Sequence, residues 1–218
     1  MRVRKYPKIE RLGQKALRDL YYGAEARGFN LDDLLAQIWI ESGFDPSVLT
    51  GAAKEHPEQT ASGLLQWTDQ AARYSFPALR DLPKGKAAAA VRQMSPDEQV
   101  PGIFTYYDAA KRPLSGAQFR LLGYSLSPAI LTKPDSFVLY GKEAAELNPG
   151  ANESGQITVG SVKREWQRLT ANRDRFPMVE ISSLPDEPAN GEASGDASGI
   201  PGIAIALGLI WLIKKGKQ

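Results

Sequence analysis

The stretch NLDDLLAQIWIESGFDP, residues 30–46, decides how this chain is read. Asn30 is a strong helix N-cap, because its side-chain oxygen can accept a backbone N–H that the first turn leaves unpaired. Asp32 and Asp33 follow in that turn, where carboxylates face the positive end of the helix dipole. Leu31, Leu34, Leu35 and Ile38 recur at helical spacing and predict one buried stripe. Gly43 supplies a left-handed stop, and Asp45-Pro46 turns the chain away. Glu41 stands at the end of this apolar helix, directly after Ile38-Trp39-Ile40. Apolar neighbours and the negative helix end both disfavour its charged form. A carboxyl that keeps its proton near neutral pH can act as a general acid. A glutamate at a helix end is otherwise most often a solvated surface residue, so position alone does not assign the chemistry.

Outward from this helix the same grammar repeats. Leu12, Ala16, Leu17 and Leu20 predict a helix upstream, and a third helix is expected over residues 62–74. Ser95-Pro96-Asp97-Glu98 is a capping box with proline at the first helical position, which opens a fourth helix that Pro101 should bend or delay. Glu98 is thereby explained as structural. A fifth helix is expected from about Ala117 towards Tyr124, and Pro128 opens another turn. Thr158 caps a last helix, with Val159, Val162, Trp166 and Leu169 on one face. No long alternating strand pattern is present. A small hairpin is expected within residues 48–61, so the fold class is mainly α.

Three zones differ in composition. Residues 1–178 form the globular domain. Residues 179–199, which include SSLPDEPANGEASGDASG, are small, acidic and without aromatics, and are expected to be a flexible linker. Residues 200–218 begin with the uncharged run IPGIAIALGLIWLI and end in a basic tail. As a helix, residues 200–213 would rise about 21 Å, against roughly 30 Å for a hydrocarbon core. Local thinning or a bundle can absorb that mismatch. Trp211 and the lysines after it suit a membrane interface with a cytoplasmic C-terminus. The competing reading is an apolar tail buried in a protein partner, such as a neighbouring subunit.

Composition excludes several chemistries. The 218 residues carry 27 basic and 25 acidic side chains, net +2, without the basic excess of a nucleic-acid binder. There is no cysteine, so disulfides, thiol catalysis and Cys-ligated zinc drop out. His56 is the one histidine, which leaves no His cluster. No metal and no cofactor are expected. Asn152-Glu153-Ser154-Gly155-Gln156-Ile157 resembles half an EF-hand loop, but the twelfth position falls on Ser161 where a bidentate glutamate is required. The basic start of the chain has no apolar stretch after it and does not read as a secretory signal.

The run Glu41-Ser42-Gly43-Phe44-Asp45-Pro46, then Gly51-Ala52, then Ser62-Gly63-Leu64-Leu65-Gln66-Trp67, resembles the lytic transglycosylases related to goose-type lysozyme. Their pattern is a catalytic Glu followed by Ser, a Gly-Phe-x-Pro turn and a Gly-Leu-Met-Gln-like segment. Here Leu65 stands where Met is usual, and residues 53–60 look like an insertion. Ser95-Pro96-Asp97-Glu98-Gln99, with Tyr106-Tyr107 beyond, is similar to the family's Pro-Glu-Gln helix. Gly123-Tyr124-Ser125-Leu126-Ser127-Pro128 is similar in position to its Ala-Tyr-Asn-Ala-Gly-Pro segment, with Ser125 for Asn and Ser127 for Gly. The resemblance spans about residues 25–170 and implies a lysozyme-like helical domain that cleaves peptidoglycan.

It also implies roles. Glu41 would be the catalytic acid. Ser42 would contact substrate or cap the turn, Gln66 would hydrogen-bond sugar in a groove, and Tyr124 would bond Glu41 or orient the reacting sugar. Glu98 stays structural. Most glycosidases use two carboxylates, and Asp45 is the nearest second candidate, although it belongs to the turn before Pro46, where Asp is favoured for local backbone bonding. In the family a single Glu suffices, and the sugar's own hydroxyl closes a 1,6-anhydro ring. A hydrolytic muramidase on the same site, and a virion protein that grips glycan without cutting it, are the alternatives. The layout is similar to phage virion enzymes that act in the host periplasm during genome entry, with peptidoglycan strands as partner and no nucleic acid.

Overall fold

In the computed structural model of the chain, residues 1–50, 61–125 and 127–186 are described. His56, the apolar run 200–213 and residues 187–199 of the expected linker lie outside them.

Strand β1 (Arg2–Arg4) leads through a 3-10 turn into α1 (Gly13–Arg27). Ala16, Leu17, Leu20 and Ala24 are its buried stripe, and Gly28, with φ of 64°, ends it. Helix α2 (Leu31–Ser42) begins as the sequence predicts: Asn30 Oδ1 accepts from Asp33 N–H at 3.0 Å. It stops at Gly43, whose φ is 58° and whose N–H returns to the Trp39 carbonyl. Phe44 is also left-handed, with φ of 63°, a conformation that costs an ordinary residue roughly 1–2 kcal/mol. Its ring is fully buried, and that burial holds the turn.

The expected hairpin is present: β2 (Leu49–Thr50) pairs antiparallel with β3 (Ala61–Ser62). The third helix starts later than the pattern suggests. Residues 61–62 are in the hairpin and Gly63 and Gln66 are left-handed, with φ of 76° and 51°. Thr68 then caps α3 (Asp69–Ser75). A short alanine-rich helix, α4 (Lys86–Val91), was not legible in the pattern. Helix α5 (Pro96–Asp108) opens on the predicted capping box, with Glu98 Oε2 accepting from Ser95 N–H at 2.7 Å. Pro101 does not delay it. The helix runs through it, without the bond that an N–H at residue 101 would make to the Asp97 carbonyl.

Helix α6 (Ala117–Tyr124) falls where expected, followed by a 3-10 turn at Pro128–Thr132. Strand β4 (Val138–Tyr140), the short α7 (Lys142–Leu147) and β5 (Ile157–Thr158) lead to α8 (Val159–Thr170), capped by Thr158. β4 pairs antiparallel with β5. The EF-hand-like stretch forms a tight turn: Asn152 Oδ1 accepts from Gly155 N–H, and Glu153 pairs with Arg164 on α8.

Strand β6 (Met178–Glu180) returns to pair with β1. Ile181 and Leu184 are buried beyond it, and Gln14 Nε2 donates to the Leu184 carbonyl at 2.7 Å. The beginning of the segment read as linker, residues 179–186, is therefore packed on the domain. Helix α1 lies on α5, α3 on α4 and α5, and α6 on α8, with α2 between α1 and α6. Tyr6, Trp39, Phe44 and Phe176 stack into one aromatic cluster that ties both ends of the domain to α2. The protein is mainly helical, with small antiparallel pairs of strands.

Candidate active site

Glu41 projects from the last turn of α2 towards α6 and α8. Four residues earlier on the same helix face, Gln37 Nε2 donates to Glu41 Oε1 at 2.7 Å. From α6, Arg120 Nη1 donates to that same oxygen at 2.6 Å. Arg120 Nε turns the other way and donates to Glu165 Oε2 on α8 at 3.0 Å. Tyr124, one turn beyond Arg120, donates its hydroxyl to Glu165 Oε2 at 3.1 Å, and its ring lies 5.1 Å from the guanidinium. Gly123 of α6 faces this pair: a Cβ there would lie 3.7 Å from Gln37 Nε2 and 3.9 Å from Glu41 Oε1, ordinary contact distances.

The cluster is buried. Side-chain exposure is 6% at Glu41, 5% at Arg120 and 4% at Glu165. Two carboxylates thus share one guanidinium, so the fully ionised set carries one uncompensated negative charge in a low-dielectric place. Burial pushes the Glu41 carboxyl above the ordinary glutamate range. Arg120 pulls it down, the Glu165 charge pushes it up again, and the hydrogen bonds from Arg120 and Gln37 do not reverse the outcome. Burial likewise raises the phenols of Tyr106, Tyr107 and Tyr124, so they stay neutral near neutral pH. The Gln37 side-chain oxygen is buried and has no partner among the described residues, a cost that native structures rarely leave unexplained.

The two oxygens of Glu41 differ. Oε1 takes both donors, whereas Oε2 accepts none among the described residues and is not one of the fully buried unpaired atoms. One proton held on a partly reachable oxygen, on a carboxyl with a raised pKa, is what general-acid chemistry requires.

The other predicted residues are placed as follows. Ser42 is buried beside Glu41, but its hydroxyl donates to the Ile38 carbonyl at 3.0 Å. Tyr124 reaches the site yet bonds Glu165, so its link to Glu41 runs through Arg120. Gln66 lies in the turn after the hairpin, buried, with Nε2 donating to the Gly63 carbonyl at 3.0 Å. Asp45 is committed elsewhere: Oδ1 accepts from the Ser47 N–H and hydroxyl, and Oδ2 faces Arg11 at 3.3 Å.

Sequence reasoning missed Gln37, Arg120 and Glu165. Each is a polar residue on a face that is otherwise apolar, and Arg120 precedes Tyr124 by one helical turn, but nothing local shows that the three faces meet. Gln99 was read only as part of the Pro-Glu-Gln segment. It is fully buried, accepts from Leu64 N–H, and donates to the Pro46, Val91 and Met94 carbonyls, which pins the two resembling segments together. Among the described residues no group of three acidic or histidine side chains is arranged to hold a metal. No family model, curated protein or solved structure matches this chain.

Proposed function

We propose that the chain is a peptidoglycan lytic transglycosylase with a lysozyme-like domain and Glu41 as its single catalytic carboxyl. The observation that carries this reading is the state of Glu41. It sits buried at the end of an apolar helix, raised above its ordinary range, with one oxygen held and the other accepting from no described residue. Glu41 protonates the glycosidic oxygen between N-acetylmuramic acid and N-acetylglucosamine. The substrate's acetamido group stabilises the positive centre. The same carboxylate then takes the proton of the sugar's 6-hydroxyl, which closes the 1,6-anhydro ring without water. A water-activating second carboxylate has no support at Asp45, whose oxygens are engaged by the turn and by Arg11. This favours the lyase over the muramidase.

The non-cutting reading has one observation on its side. The hydroxyls of Ser42 and Tyr124, and one amide donor of Gln66, are engaged inside the protein. Delivery by a phage particle to the host periplasm completes the proposal, with residues 200–213 seated in a membrane or in another virion protein. The test is digestion of purified cell-wall sacculi followed by mass spectrometry of the fragments. Anhydro ends, lighter than reducing ends by one water, are expected. Reducing ends would make the protein a muramidase, and intact sacculi would make it a binding protein.

A further inference from the structure

We propose that Arg120 and Glu165 are positioning residues for Glu41, which with Gln37 hold its Oε1 and leave Oε2 as the oxygen that carries and delivers the proton. This rests on the reading of Glu41 as general acid. It extends that reading to two residues that neither composition nor motif singled out.

The first step is geometric. Oε1 already accepts from Gln37 Nε2 and Arg120 Nη1. A guanidinium has only N–H groups and no acceptor, so a proton placed on Oε1 would point at donors. Oε2 meets no such conflict, because no described residue donates to it. The oxygen that can hold the proton is therefore the one to which no described residue donates.

The second step concerns charge. Arg120 alone would lock Glu41 as a carboxylate, since an opposite charge at hydrogen-bond distance favours the ionised form. Glu165 offsets this by taking the other side of the same guanidinium, at 3.0 Å from Nε. One cation then serves two buried carboxylates, and one of them is better protonated. Glu41 is the one at the negative end of its helix, whereas Glu165 is mid-helix in α8. Among the described residues, the other titratable groups that face Glu41 are Tyr124 on α6 and Tyr106 and Tyr107 on α5, all kept neutral by burial.

The test uses Glu165→Gln in the full chain. The amide still offers an oxygen to Arg120 and Tyr124 but removes the charge. Two quantities are measured on wild type and variant. One is the rate of cell-wall lysis across pH. The other is the titration of the Glu41 carboxyl by NMR, assigned by comparison with Glu41→Gln. In wild type, Glu41 is expected to keep its proton above the ordinary glutamate range. In Glu165→Gln it should titrate lower, so that the lysis rate at about pH 8 relative to about pH 5 falls roughly tenfold. A wild-type Glu41 that titrates in the ordinary range overturns the inference, whether or not the variant folds. So does a Glu165→Gln pH profile that superimposes on wild type. If the titrations come out as expected but sacculi stay intact, the proton placement stands and the glycan-cleaving reading fails.

Discussion

At Glu41, burial and charge act against each other, and burial wins. The consequence for stability has a definite sign. A carboxyl raised on folding binds its proton more tightly in the native state than in the unfolded chain. Its stabilising contribution is complete below the ordinary glutamate range and is lost as pH rises through the folded value. Glu41→Gln cannot lose a proton, so its thermal stability relative to wild type should grow between about pH 5 and about pH 8. A difference that shrinks over that interval would mean that the Arg120 pair, not burial, governs the site. The same substitution is expected to reduce lysis a hundredfold to ten-thousandfold, about the usual contribution of general acid–base work. Asp45→Asn is expected to leave lysis near the wild-type rate. Its carboxyl serves the Ser47 turn and Arg11 rather than substrate. An inactive Asp45→Asn protein with a native-like melt would restore a two-carboxylate mechanism.

Between elements, Gln99 is the joint. It sits near the start of α5, while the carbonyls and N–H it serves belong to the turn after α2, the loop after the hairpin and the end of α4. Its two amide hydrogens are shared among three carbonyls, so no small polar replacement can serve them all. Gly63 must be a glycine beside it. Its φ is 76°, and a Cβ there would lie 2.7 Å from Gln99 Oε1. Gln99→Ala leaves buried backbone groups unpaired and is expected to cost on the order of 3 kcal/mol, read by urea unfolding. A loss within about 0.5 kcal/mol would show that the hairpin and α5 are held together without it.

Across the whole molecule, the chain ends are coupled to the site. β1 and β6 pair with each other, Tyr6 and Phe176 pack on Trp39, and Arg173 pairs with Asp33 at the start of α2. α2 is thus fixed at both ends by residues from the termini of the domain. A chain ended at residue 186 is expected to melt like the full protein and to keep its lytic activity. A chain ended at residue 177 loses the β1–β6 pairing and the burial of Ile181 and Leu184. It should be less stable by about 3–6 kcal/mol, at roughly 1.5–3 kcal/mol for each buried aliphatic side chain. Equal melting of the two truncations would move the domain boundary back to residue 178.

The sequence by itself determined the local elements. The Asn30 cap, the Gly43 stop, the Ser95 capping box and the Thr158 cap each depend on residues within four positions of one another, and each appears where the pattern puts it. The apolar end of α2 likewise marked Glu41 as a carboxyl in an unusual place. The start of α3 was misjudged because left-handed residues at Gly63 and Gln66 carry little pattern, and α4 and α7 are too short to show a period. Only the tertiary structure decided what Glu41 meets. Arg120 is 79 positions away in sequence, and Glu165 is 45 beyond that. Their meeting depends on how α2, α6 and α8 pack, because buried charges find partners through the packing of whole helices and not through spacing along one of them.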